Sequence, residues 1–126
     1  PDCSFPRAGR LLLGVDFQRV FKTSRCRSAD KYLCLLAIKN NDTRSRLGLA
    51  IAKKKIKTSV GRQRIKRLIR ESFRHNQYRL QHKAPGDQAG FDIVVMANPA
   101  ASQATNKHIA TSLHKHWEKI IDQCNK

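Results

Sequence analysis

The sequence predicts an α+β sandwich, with helices packed on a single sheet. Three observations point there. Stretches of helical apolar spacing and stretches of strict alternation follow one another along 126 residues. One short run, FDIVVMA at 91–97, is β-branched and apolar on both faces, as a central strand requires. No repeat and no low-complexity linker divides the chain, and its length suits one domain with a modest core. Residues 1–126 are therefore read as one domain with loosely ordered ends.

The elements follow in order. Residues 14–22 (GVDFQRVFK) form a short helix, because Phe17, Val20 and Phe21 share a face at i, i+3 and i+4. Residues 31–39 (KYLCLLAIK) and 46–52 (RLGLAIA) are two strands, joined through NNDTRS as a hairpin-type connection. The main helix spans roughly 59–77, with Thr58 or Ser59 as its N-cap. A polar loop with Pro85, Gly86 and Gly90 leads to the strand at 91–97. After Asn98-Pro99 a last helix runs from about Thr105 to Asp122, with Ile109, Leu113, Trp117, Ile120 and Ile121 as its stripe. The pattern alone gives the order α-β-β-α-β-α.

Charge narrows the function. Lys and Arg number 26 against nine Asp and Glu, for a formal net charge of +17. Such a chain seeks a polyanion. From Lys53 to Arg74 there are ten basic residues and one acid, Glu71. At about 100° per residue, Ile65, Leu68, Ile69 and Phe73 form the apolar stripe of the main helix. Arg64, Lys66, Arg67, Arg70, Arg74 and Gln63 fill most of the remaining arc. Arg62, Arg64 and Lys66 lie in the first turns, where the helix dipole disfavours cations by roughly 0.3–1 kcal/mol each. Local rules tend to be broken at functional sites. A membrane surface fits less well, since the basic helix lacks Trp and needs its narrow stripe for its own core.

The strands add a second clue. In 46–52, Leu47, Leu49 and Ile51 face one way, and Gly48, Ala50 and Ala52 the other. In 31–39, Leu33, Leu35 and Ala37 make one face, and Tyr32, Cys34, Leu36 and Ile38 the other. A Gly/Ala face either accommodates a helix of the protein or leaves a trough for another backbone. Lys31, Lys39, Lys53 and Lys54 at the strand ends favour a cleft that binds a strand.

Other chemistries find little support. Cys3, Cys26, Cys34 and Cys124 show no C-x-x-C spacing, and His114 and His116 point to different faces of a helix, so no metal site is expected. Cys34 reads as a buried thiol, and a reducing compartment fits. No long apolar run spans a membrane, and PDCSFPRAGR is too polar for a signal peptide. There is no G-x-S-x-G, H-E-x-x-H or P-loop. His114 and Glu118, at i, i+4, read as a surface pair.

GRQRIKRLIRESFR closely resembles the signature helix of the bacterial ribonuclease P protein family, which usually reads Arg-Asn-Arg-Ile-Lys-Arg and then Arg-Glu. Three further pieces agree in order. Phe5-Pro6-Arg7, then Arg10-Leu11, then Asp16-Phe17-x-x-Val20-Phe21 is similar to the family's opening. Leu47 to Lys54 (LGLAIAKK) is similar to its GL-x-V-x-KK strand. Phe91-Asp92-Ile93-Val94-Val95 with Asn98-Pro99 is similar to its last strand and turn.

The resemblance implies a four-stranded sheet with three helices, in the order α-β-β-β-α-β-α, similar to a ribosomal-protein domain. The added strand would lie near Ser24–Ser28. The βαβ crossover would be left-handed, against the general preference. The family protein is a subunit of an endoribonuclease whose RNA subunit, with magnesium, frees the 5′ leader of precursor tRNA. The implied partners are ribonuclease P RNA and precursor tRNA in the cytoplasm, with no membrane, small-molecule substrate or protein-bound cofactor. Arg62, Gln63, Arg64, Lys66, Arg67, Arg70 and Arg74 would face the RNA subunit. Phe17, Phe21, Leu35, Gly48, Ala50, Ala52, Lys53 and Lys54 would form the leader cleft. Two positions depart from the family. Gln63 stands where it nearly always has Asn, and Leu35 where some relatives have an aromatic. The alternative is a structured-RNA-binding or ribosome-associated protein with no catalytic partner. A helix-turn-helix protein would need a helix where Arg46–Ala52 reads as strand.

Overall fold

A computed structural model describes residues 14–23, 26–40, 45–84 and 87–124. Helix α1 (Gly14–Thr23) leads to strands β1 (Cys26–Ala29), β2 (Leu33–Lys39) and β3 (Arg46–Ala50). Helix α2 (Ser59–Asn76) follows, then a 3-10 turn, β4 (Gln81–Ala84), β5 (Asp87–Ala97), a second 3-10 turn at Pro99–Gln103, and helix α3 (Asn106–Cys124). The main sheet is mixed, in the order β1-β2-β5-β3, and β5 is its central strand. β5 pairs antiparallel with β2 and parallel with β3, so α2 lies within the crossover from β3 to β5.

Burial follows the alternation. Leu33, Leu35 and Ala37 of β2, Leu47 of β3, and Phe91, Ile93, Val95 and Ala97 of β5 all enter one core. Over them α2 lays Ile65, Ile69 and Phe73, and α3 lays Ile109, Leu113, Trp117 and Ile120. Phe73 and Trp117 meet edge to face, 5.9 Å between centroids, and Trp117 Nε1 donates to Ser72 Oγ at 2.8 Å. A buried indole N–H needs such a partner. Among the described residues, the opposite face carries only α1. There Val20 packs on Val94, flanked by half-buried Leu36, Ile38, Ala50 and Met96.

The strand that the family resemblance implies near Ser24–Ser28 is present as β1, paired Cys26 to Ala37 through Ala29 to Cys34. The structure differs from the expected elements in one place. The segment expected as a polar loop is a hairpin instead, because β5 begins at Asp87 and β4 pairs with its first half. Gly90 lies within β5, where its carbonyl accepts the Asn40 amide at 3.0 Å. The thiol expectation also changes at one position. Cys34 is free, but Cys26 is disulfide-bonded.

Candidate nucleic-acid interface

Helix α2 starts where Thr58 can cap it. Thr58 is extended (φ −93°, ψ 145°), and its Oγ1 accepts the Gly61 amide at 3.0 Å. A Cβ on Gly61 would sit 2.8 Å from that oxygen and 3.1 Å from Ile56 Cγ2, so the cap requires glycine. The first turn therefore packs closely on the loop that leaves β3.

The basic residues of α2 divide into two groups. Arg62 Nη1 donates to the carbonyls of Ile56 (2.9 Å) and Lys57 (3.1 Å). Arg64 Nε donates to Asn106 Oδ1 at 2.8 Å, and its Nη2 donates to the Ala104 carbonyl. These contacts explain the cations in the first turns. Their guanidinium groups reach carbonyl oxygens on neighbouring segments, which offsets the unfavourable helix dipole. Gln63, Arg67 and Arg70 are exposed. With Ser59, Val60 and Arg64 they line an open groove of about 690 Å3 along the outer side of the helix. Lys66 and Arg74 are half-buried, and Arg74 Nε is buried without a hydrogen-bond partner. The structure thus brings all seven predicted residues onto one helix. Arg62 and Arg64 also fasten that helix to the loops at its start.

The face under α1 holds part of the second predicted set. Gly48 is buried, Ala50 half-buried and Phe21 48% exposed. Gly48 and Ala50 pair in register with Val94 and Met96, which places them on the α1 side of the sheet. β3 ends at Ala50, so Ala52, Lys53 and Lys54 stand on the exposed turn beyond it. There the Ala52 carbonyl accepts the amides of Lys55 (3.0 Å) and Ile56 (3.1 Å). The Phe17 side chain lies outside the described residues. Leu35 requires a correction. It is fully buried in the core under α2 and α3, opposite the α1 face. Side chains alternate along β2, so the residue presented to the α1 side is its neighbour Leu36.

Four residues outside the predicted set meet at this face. Asp92 is fully buried on β5. Its Oδ1 accepts from Arg46 Nε (2.9 Å) and Asn40 Nδ2 (2.8 Å). Its Oδ2 accepts from Arg46 Nη2 (2.7 Å) and from Arg19 Nη2. Burial pushes this carboxyl up, but the hydrogen bonds from Arg46 and Asn40 and the charges of Arg46 and Arg19 outweigh it. The pKa lies below the ordinary 3.8. Two guanidinium groups are thereby fixed beside Gly48. A lone acid inside the apolar run FDIVV is the sequence signal that could have found them.

The remaining polar clusters are structural in character. Ser28 Oγ shares a 2.5 Å hydrogen bond with His116 Nδ1, and His116 Nε2 lies 3.2 Å from Asp30 Oδ2, off the line of a hydrogen bond. A serine, histidine and aspartate in contact resemble an acyl-transfer triad. Ser28 and His116 are buried, however, so substrate cannot reach them, and the cluster ties α3 to the end of β1. His114 and Glu118 form an exposed i, i+4 pair at 3.2 Å.

A helix-covered mixed sheet, with guanidinium groups along an outer helix, defines an RNA-binding α+β protein. A family model described as Ribonuclease P matches residues 5–121. The chain belongs to the ribonuclease P protein family. It is 40% identical over 121 residues to the ribonuclease P protein component of Methylococcus capsulatus, covering 96% of this chain and 88% of that one. Among solved structures, the RNase P protein of Staphylococcus aureus superposes with a TM-score of 0.75 at 27% identity, covering 95% of this chain and all of that one. The RNase P protein of Thermotoga maritima gives 0.73 at 29% identity, covering 88% and 96%.

Proposed function

We propose that this chain is the protein half of a ribonucleoprotein that removes the 5′ leader of precursor tRNA, with the cleavage carried out by the RNA subunit. The groove of exposed Gln63, Arg67 and Arg70 is the observation that carries this reading. Guanidinium forks match phosphate oxygens bidentately, and a helix anchored at its start by Arg62 and Arg64 presents them in fixed register. That face takes ribonuclease P RNA. The α1 side takes the single-stranded leader, with Phe21 and Phe17 as stacking surfaces, Gly48 and Ala50 as floor, and Lys53 and Lys54 at the mouth. Arg46 and Arg19, held by Asp92, add fixed positive charge beside the floor.

Magnesium would belong with the RNA subunit in this scheme and, when bound there, would supply Lewis-acid chemistry. Among the described residues no group of three His, Cys, Asp or Glu could hold a metal. The chain's own work is to bind, orient and neutralise. Cytoplasmic tRNA processing is the setting. No described helix is long and apolar enough to cross a membrane. The test is cleavage of a precursor tRNA by protein alone, RNA alone, and both at low magnesium. Cleavage enhanced only by the combination is expected. Cleavage by the protein alone, or no effect of adding it, would overturn the proposal.

A further inference from the structure

A second surface next to the α2 face has the makings of a nucleobase site. It lies where the β1–β2 turn, the 3-10 turn at Pro99–Gln103 and the start of α3 meet. Lys31, Tyr32, Pro99, Gln103, Ala104 and His108 line an open pocket of about 460 Å3. That is within the roughly 300–1,000 Å3 typical of small-ligand sites.

The Tyr32 and His108 rings are nearly parallel, 14° apart in plane, with centroids 6.5 Å apart. Lys31 Nζ sits 4.9 Å from the Tyr32 centroid. Aromatic pairs in contact span about 4.5–7 Å, so this pair is near the open end. The backbone around Tyr32 is fixed. Asp30 Oδ1 accepts the amides of Tyr32 (2.8 Å) and Leu33 (2.9 Å), and the Tyr32 carbonyl accepts the Asn98 amide (2.8 Å). The carboxylate nearest the pocket is thereby committed, and no acid lines the pocket. Lys31, Lys107 and His108 are all exposed.

The pocket adjoins the arginine groove. The carbonyl of Ala104, a lining residue, accepts from Arg64, which lines the groove as well. Tyr32 packs on the core beneath α2 and α3, so the pocket opens on the α2/α3 side of the sheet, away from α1.

We infer that the Tyr32–His108 pair is a stacking platform for one unpaired nucleotide of ribonuclease P RNA, with Lys31 and Lys107 beside its phosphates. This rests on the reading that the α2 face binds that RNA. Rings stack on any base face, and flanking cations neutralise the backbone, which is the general chemistry of single-strand recognition. The sheet separates the platform from the α1 side, which makes the RNA subunit, not the leader, the occupant.

The test is equilibrium binding of the full chain to transcribed ribonuclease P RNA across a potassium chloride series. His108→Ala and Tyr32→Leu should each weaken binding about fivefold or more, by loss of a stacked base. Their salt slopes should stay parallel to wild type, because no phosphate contact is removed. Tyr32→Phe, which keeps the ring, should bind like wild type. His108 is exposed, so His108→Ala decides the matter if Tyr32→Leu does not fold. Ring variants within twofold of wild type would overturn the proposal, and with Arg67→Ala still lowering the slope, the α2 reading would stand. A wild-type chain that fails to bind would overturn both. Unchanged RNA affinity with a raised KM for precursor tRNA would assign the platform to substrate and overturn the proposed occupant.

Discussion

Replacing Asp92 by Asn tests how the rear face is held together. The carboxylate is fully buried and accepts two hydrogen bonds from Arg46, one from Asn40 and one from Arg19. Removing one partner of a buried ion pair costs about 3–5 kcal/mol, because the other charge is stranded. Here the stranding is partial. The Arg46 side chain is 23% exposed and that of Arg19 48%, so water takes up part of the released charge. The loss should therefore fall near the low end, about 3 kcal/mol, or roughly 10 °C in Tm for a domain of this size. The pH dependence carries a sign. The folded pKa of Asp92 lies below its unfolded value near 3.8, so its contribution is present above that pH and disappears as pH falls through the folded value. Wild-type stability should drop steeply in acid, and Asp92→Asn should flatten that limb. Urea unfolding of both proteins at pH 7 and across pH 2–5 measures this. A variant within about 0.5 kcal/mol of wild type, the usual range for surface substitutions, would show that Asp92 does not organise this face.

Three further outcomes are expected. Phe21→Ala should cost far less stability than the 3–5 kcal/mol of a buried Phe→Ala, since Phe21 is 48% exposed. In the assembled enzyme it should still weaken precursor tRNA binding by about 1–3 kcal/mol and leave mature tRNA unaffected, and equal losses for both would refute a leader contact. Gln63→Asn should tighten binding of the RNA subunit by about 1 kcal/mol without altering the fold, the net value of one hydrogen bond, and identical affinities would show that Gln63 already reaches its partner. Burial lowers the His116 pKa more than Asp30 raises it, so the folded state prefers the neutral ring. Stability is complete above the unfolded value of 6.5 and falls as pH drops below it, and His116→Gln should remove that slope in a denaturant series from pH 7.5 to 5.

Most of the framework was legible because burial imposes period. The stripe Ile65, Ile69 and Phe73 and the alternation of β2 and β3 reappear as the contacts of one core. β4 escaped because QHKA carries no apolar alternation, and it exists through its ladder with β5. The fourth strand of the main sheet came only with the family resemblance, since CRSA is too short and polar to declare itself. The unusual polarity of α2 was visible in sequence, but its physical cause was not. Arg64 reaches Ala104 and Asn106, some 40 residues away, and no local pattern encodes that distance. Leu35 shows the reverse case. Period-2 alternation already placed it with Leu33 and Ala37, and the structure keeps it there, under the helices.

The central claim is that the exposed side of α2 docks ribonuclease P RNA through phosphate contacts. Salt dependence of that binding, compared between wild type and Arg67→Ala/Arg70→Ala, tests it most directly. Each neutralised phosphate contributes about 0.9 to the slope of log K against log salt on a duplex, and about 0.7 on a single strand. The double variant should therefore lose between one and two units of slope and converge on wild-type affinity as salt rises. Equal slopes for the two proteins would place the RNA on another surface and contradict the assignment of this helix.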